Sequence, residues 1–204
     1  MRKGTALAIG GALFALLFFT SRDAGAVITS RGPRTPRVSS YEGDAKKWTQ
    51  ARYDAAHAYL SKYWGAALTE DGIHDAALSA VAHWALETGS GYAEYNFNVG
   101  NIHAVGQQTW FGSGDSDTAG KAYTASFAAY PSLAAGVEAY FKLLEDGYPS
   151  CMTKLTAAPS SPDWFRCLGE HNYYAKTIKG KDNLEPAAKA WAARRSIVEK
   201  NVED

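Results

Sequence analysis

"ALETGSGY", residues 85–92, ends an apolar run on a glutamate and follows it with two glycines separated by a serine. The residues before it set Ile73, Ala77, Ala80, Val81 and Trp84 at helical spacing, and Thr69 to Asp71 are suited to capping such a helix. Gly89 and Gly91 favour the left-handed geometry that terminates helices, so the spacing predicts a stop at Glu87 or Thr88. A helix C-terminus carries partial negative charge and pushes a carboxyl there toward its protonated form. A carboxyl still protonated near neutral pH can donate its proton to a leaving oxygen. A solvated glutamate at a helix end has the same local sequence, so the surroundings have to decide.

Outward from Glu87 the chain reads as mostly helical. Asp44 to Trp64 carries Trp48, Ala55, Tyr59 and Tyr63 at helical spacing. From Tyr92 to about Tyr130 the period is lost among Gly, Asn, Ser and Asp, with scattered aromatics, as expected of a small loop-and-hairpin lobe. Helical pattern resumes at "PSLAAGVEAYFKLLEDG", with Leu133, Val137, Phe141 and Leu144 in one stripe and Gly147 as the stop. A short helix is expected with Ser161 as its cap and Pro162 at its first position, and a last one runs from about Pro186 to Glu199. The expected architecture is two groups of helices flanking an irregular lobe, with Glu87 at the junction.

The front of the chain is different. Residues 1–26 place Arg2 and Lys3 before an uncharged apolar run and end on Ala24-Gly25-Ala26, the order of a signal peptide. The same segment, through residues 4–20, serves equally as a membrane anchor, although it is short of the ~20 residues that span a bilayer. Either way the remainder is expected to be exported or membrane-tethered, in the periplasm or cell envelope or in a virus particle. Residues 27–43, rich in Pro, Arg and Ser, read as a linker, in which Arg31, Arg34 and Arg37 either do nothing specific or meet anionic headgroups.

That leaves residues 44–204 as the domain, with 15 Lys plus Arg against 19 Asp plus Glu. A mildly acidic balance argues against a nucleic-acid partner. His57, His83 and His103 stand isolated with no metal-ligand spacing, and a structural or solvated role is expected for them. No cofactor or metal is implied. Cys151 and Cys167 are candidates for a disulfide in an exported chain, or for two buried thiols in a reducing compartment.

Four segments in order, "ALETGSG", "NVGNI", "FAAYPSLAAGVEAYFKLL" and "YYAK", resemble those of bacterial cell-wall glycosidases of the lysozyme superfamily, most closely the N-acetylglucosaminidases of glycoside hydrolase family 73 that include the flagellar-rod muralytic domain. The resemblance spans about residues 70 to 180 and implies a mainly α, lysozyme-like, two-lobed domain with a small irregular or β-hairpin lobe. By that resemblance Glu87 is the catalytic acid, and Asn98, Tyr130 and Tyr174 line the groove that holds a peptidoglycan glycan strand; Asn101 is expected to help position the strand. Gly100 and Asn101 depart from the family's Phe and Gly, and "NVGNI" is as similar to the Asn-x-Gly-Asn segment of phage-associated members.

Such hydrolases often place a second acid in the small lobe. Here that stretch holds only Asp115 and Asp117, which are also suited to a turn, with Glu94 as an outside candidate. Without a second acid, the substrate's N-acetyl group or a muramyl 6-hydroxyl would attack instead, the latter as in lytic transglycosylases. Among the lobe's aromatics, Tyr92 and Trp110 are the expected sugar contacts. A glucosaminidase is the favoured reading; a lytic transglycosylase, a muramidase, or a non-catalytic glycan-binding component of an envelope or virion assembly are the alternatives.

Overall fold

The computed structural model describes residues 32–116, 121–178 and 181–202. The N-terminal apolar segment, Arg31 and Asp117 lie outside them. Among the described residues are six helices: α1 Ala45–Trp64, α2 Glu70–Glu87, α3 Leu133–Gly147, α4 Pro149–Ala157, α5 Asp163–Glu170 and α6 Leu184–Asn201. A hairpin of β1 Trp110–Ser116 and β2 Ala122–Ala128 stands between α2 and α3. A two-residue pair, β3 Thr177–Ile178 and β4 Lys181–Asp182, precedes α6.

Capping fixes the helix starts. Asp44 accepts from the amides of Lys46 and Lys47, Thr69 from Gly72, and Ser132 from Ala135. The second helix is the spine: from Ala76 to Glu87 every residue is buried, so this stretch has no solvent face and is apolar but for Ser79, His83 and Glu87. It packs against α1 and α6, and Trp191 of α6 donates its indole N–H to the Ser79 carbonyl at 3.1 Å. Trp84, Trp164, Trp191, Tyr140 and Phe165 fill the centre, where the Trp164 and Trp191 rings meet edge to face at 5.6 Å.

The helix α4 follows a stop signal, Gly147, and a proline, Pro149. The chain bends at Tyr148 and restarts with Pro149 in the first turn, where a missing N–H costs nothing. Cys151 of α4 and Cys167 of α5 form a disulfide with their Cα atoms 5.4 Å apart.

The hairpin is antiparallel, in register from Trp110↔Ala128 to Ser116↔Ala122. Residues 102–104 extend it on the β2 side, through bonds from Ala128 N–H to the Ile102 carbonyl and from Ala104 N–H to the Ser126 carbonyl. On the β1 side lies the segment expected to be a linker. Thr35 N–H donates to the Trp110 carbonyl at 2.7 Å and Trp110 N–H to the Pro33 carbonyl at 3.1 Å, making residues 33–35 a parallel edge strand. Further along, Asn96 N–H donates to the Val38 carbonyl and Ser40 N–H to the Glu94 carbonyl. Residues 32–41 are therefore a strap on the lobe, and the folded unit begins before Asp44. Arg34 and Arg37, considered above for lipid headgroups, instead lie over the Trp110 and Tyr95 rings at 5.3 and 4.5 Å.

Candidate active site

The last turn of α2 and the loop after it form the site. Thr88 donates its hydroxyl to the Trp84 carbonyl and accepts from Gly91 N–H, tying the helix end into a tight turn with Gly89, Ser90 and Gly91 all at positive φ. At Gly91 a Cβ would lie 2.6 Å from the Trp48 ring, so only glycine fits between the loop and α1. Asn96, Phe97 and Asn101 also adopt left-handed backbone, a concentration of strain that surrounding contacts must hold in place.

Glu87, the final residue of α2, is 6% exposed. Its Oε1 lies 3.2 Å from Nε2 of His83, one helical turn earlier, and Nδ1 of His83 lies 2.6 Å from the Tyr140 hydroxyl. Asn101 donates from its side-chain amide to the Glu87 carbonyl at 2.5 Å. Burial raises the Glu87 pKa; His83 and Asn101 oppose the rise, and the negative charge of Asp115 adds to it. Among the described residues no lysine or arginine pairs with Glu87, unlike Glu94, which Arg52 neutralises.

Tyr140 and Tyr173 lie within electrostatic reach of the glutamate. The Tyr130 hydroxyl is buried without a hydrogen-bond partner among the described residues, and burial pushes its pKa up to about 12, so it remains a donor seeking an acceptor. Tyr173 donates to the Gly100 carbonyl at 2.8 Å, and its ring centroid lies 5.0 Å from that of His83.

A glutamate-to-alanine mutant of a peptidoglycan hydrolase from Sphingomonas sp. A1 superposes with a TM-score of 0.57 at 18% identity, covering 76% of this chain and 94% of that one. A second mutant structure of peptidoglycan hydrolase from the same organism gives a TM-score of 0.51 at 18% identity, over 77% and 96%. The fold is lysozyme-like. A C-terminally truncated glycoside hydrolase domain of Salmonella typhimurium FlgJ gives 0.49 at 19%, over 77% and 99%. No protein-family model and no curated protein matches the chain in sequence.

In the lysozyme-like frame Glu87 stands where the large helical lobe meets the hairpin lobe, and the remaining expected site residues separate into two groups. Asn101 and Asp115 act on Glu87 directly, and Tyr130 lies within electrostatic reach of Tyr173. Asp115 sits in strand β1 rather than in a turn, with its carboxylate enclosed, bonded to the Tyr123 hydroxyl at 2.8 Å and 3.6 Å from His103 Nε2. Tyr92 is 70% exposed and packs on Tyr41, with ring centroids 4.6 Å apart. Trp110 lies at the foot of the hairpin under Arg34.

Three expectations are corrected. Tyr174 is fully buried, stacked on Phe165 and bonded to its carbonyl, so it is a core residue and no wall of a groove. Asn98 is likewise buried and has all its polar atoms engaged: its amide donates to the Ile102 and Ala128 carbonyls and its oxygen accepts from Ile102 N–H. It staples the loop to the hairpin and has nothing left for a sugar. Glu94, the outside candidate for second acid, is a structural ion with Arg52 and the Trp48 indole as partners.

Three residues at the site escaped the sequence reading: His83, Tyr140 and Tyr173. The four-residue spacing of His83 and Glu87 was a visible signal, since it places both on one helix face. Tyr140 and Tyr173 come from other elements and carry no such mark. Among the described residues, Cys151, Cys167 and His171 form a cluster of metal-ligand type, but both sulfurs are consumed by the disulfide.

Proposed function

We propose that this domain is a peptidoglycan hydrolase that cleaves the glycan strand, with Glu87 as general acid. The observation that carries this reading is a buried glutamate, free of any cationic Lys or Arg among the described residues, at the lobe junction of a lysozyme-like fold. The solved neighbours of the fold are named as peptidoglycan hydrolases, which supports the choice of substrate.

Glu87 gives its proton to the glycosidic oxygen as the bond to the anomeric carbon breaks, so the leaving sugar departs as an alcohol. Positive charge then develops at the anomeric carbon and ring oxygen. Asp115 acts on Glu87 through space and is placed to stabilise that charge from the hairpin side. Its enclosure and its bond to Tyr123 favour an electrostatic role over direct activation of water. The attack that completes the reaction comes from water, or from the substrate's own N-acetyl or 6-hydroxyl group. The favoured product carries N-acetylglucosamine at the new reducing end. The unpaired Tyr130 hydroxyl and the exposed face of Tyr92 are the sugar-binding groups of the site.

Substitution of Glu87 by Gln tests the assignment. Glu87→Gln is expected to lower the rate of wall clearing by about 10²–10⁴-fold while cosedimentation with purified peptidoglycan stays at the wild-type level. A wild-type protein that sediments with the wall but clears none of it would identify a glycan-binding component instead.

A further inference from the structure

The mechanism leaves one buried group without a task. His83 is wholly enclosed in the helical lobe, with its ring edge-on to Trp164, Phe165, Tyr140 and Tyr173, yet both its nitrogens have polar partners. A ring needed only for packing would be replaced at no loss by an apolar one. Instead it connects Tyr140 of α3 to the oxygen of Glu87.

We infer that His83 is a positioning residue for Glu87: held in one tautomer by the Tyr140 hydroxyl, it pins Oε1 and leaves Oε2 as the oxygen that presents the proton to the glycosidic bond. The inference rests on the glycosidase reading above. The tautomer follows from donor and acceptor capacity. An ionised Glu87 can only accept, so Nε2 carries the hydrogen; Nδ1 is then bare and accepts the Tyr140 O–H. With Glu87 protonated, the same Nε2–H engages its carbonyl oxygen and the acid proton occupies the other oxygen. Loss of the Tyr140 hydroxyl frees the imidazole to turn its bare nitrogen toward Glu87, and the acid proton would then point into the protein.

The titratable groups around the pair are few. Tyr140 faces His83 from α3, Tyr173 from the segment after α5, and Asp115 acts on Glu87 from β1; burial raises both tyrosines well above their ordinary range. Tyr174 also feels the Glu87 charge from within the core. The alkaline limb of the rate profile therefore belongs to Glu87 as modulated by His83. Because the bond from His83 holds the Glu87 pKa down against burial, its removal moves that limb to higher pH.

The test measures kcat, KM and the pH profile for wild type, His83→Leu, His83→Gln and Tyr140→Phe on soluble glycan fragments, with melting curves for each. Expected are a fall in kcat of ~10²-fold for His83→Leu with KM changed far less, and an alkaline limb displaced upward. Tyr140→Phe, which keeps its ring and so its packing, should shift in the same sense. His83→Gln, which retains an N–H donor, should recover most of the rate. Folded His83→Leu and Tyr140→Phe proteins with wild-type kcat and limb would overturn the inference; if His83→Leu does not fold, Tyr140→Phe decides alone. A wild type that cleaves nothing would overturn the glycosidase reading and this inference with it, whereas an active wild type with unaffected variants overturns this inference only.

Discussion

Glu87 owes its character to three local facts: it ends a helix, it is enclosed, and Asp115 lies within electrostatic reach. Each favours the protonated carboxyl, and the sign has a consequence for stability. A carboxyl with a raised folded-state pKa contributes stability that is complete below its unfolded value of about 4.5 and is lost as pH rises through the folded one. Glu87→Gln lacks that loss, so it is expected to melt above wild type at pH 7–8, with the gap closing below about pH 4. Equal melting temperatures across the range would place Glu87 in water. The residue itself was legible in sequence because chain direction and the two glycines fix where the helix stops. For His83 the spacing to Glu87 was the one signal: a helix buried on every side gives no stripe that marks an inward polar residue as a partner of the acid. Tyr174 and Tyr173 show the opposite failure, since adjacent tyrosines point to different environments and only the packing of α5 tells which one is core.

At the level of elements, the cap expected at Thr69 to Asp71 is Thr69, which accepts from Gly72 N–H, whereas Ser161, expected to cap the helix that became α5, stands one residue before the true cap, Pro162, and accepts from Asp163 N–H. The strap did not show because its attachment is made by backbone groups, which leave no apolar pattern, and by arginines that cover aromatic rings. It closes part of the open edge of β1, and the Ser40 carbonyl accepts from Arg52 at 3.2 Å beside the buried Arg52–Glu94 pair. A chain starting at Asp44 loses these bonds and bares that pair. Compared with one starting at residue 32, it is expected to be less stable by at least ~2 kcal/mol, at about 1 kcal/mol net per hydrogen bond lost, and to show a lower urea midpoint. Identical midpoints would return residues 32–41 to the status of a tether.

For the whole molecule, two groups of helices flanking an irregular lobe followed from where helical period stops and resumes, and the hairpin between is short of aliphatic residues. Its core is Phe111 and Phe127, with Ala125, which is why composition alone could not separate sugar-binding rings from packing ones. The disulfide closes α4 onto α5 within the helical lobe. Together these elements hold Glu87 fixed at the seam between the lobes. The most direct test of its role is to digest purified peptidoglycan with residues 32–204, reduce the products with borohydride and identify the new ends by mass spectrometry. New reduced N-acetylglucosamine ends, absent with Glu87→Gln, are the predicted result. Anhydro-muramyl ends would keep Glu87 as the acid but reassign the attack to the substrate's 6-hydroxyl. No new ends from a wild-type protein that still binds the wall would contradict the account.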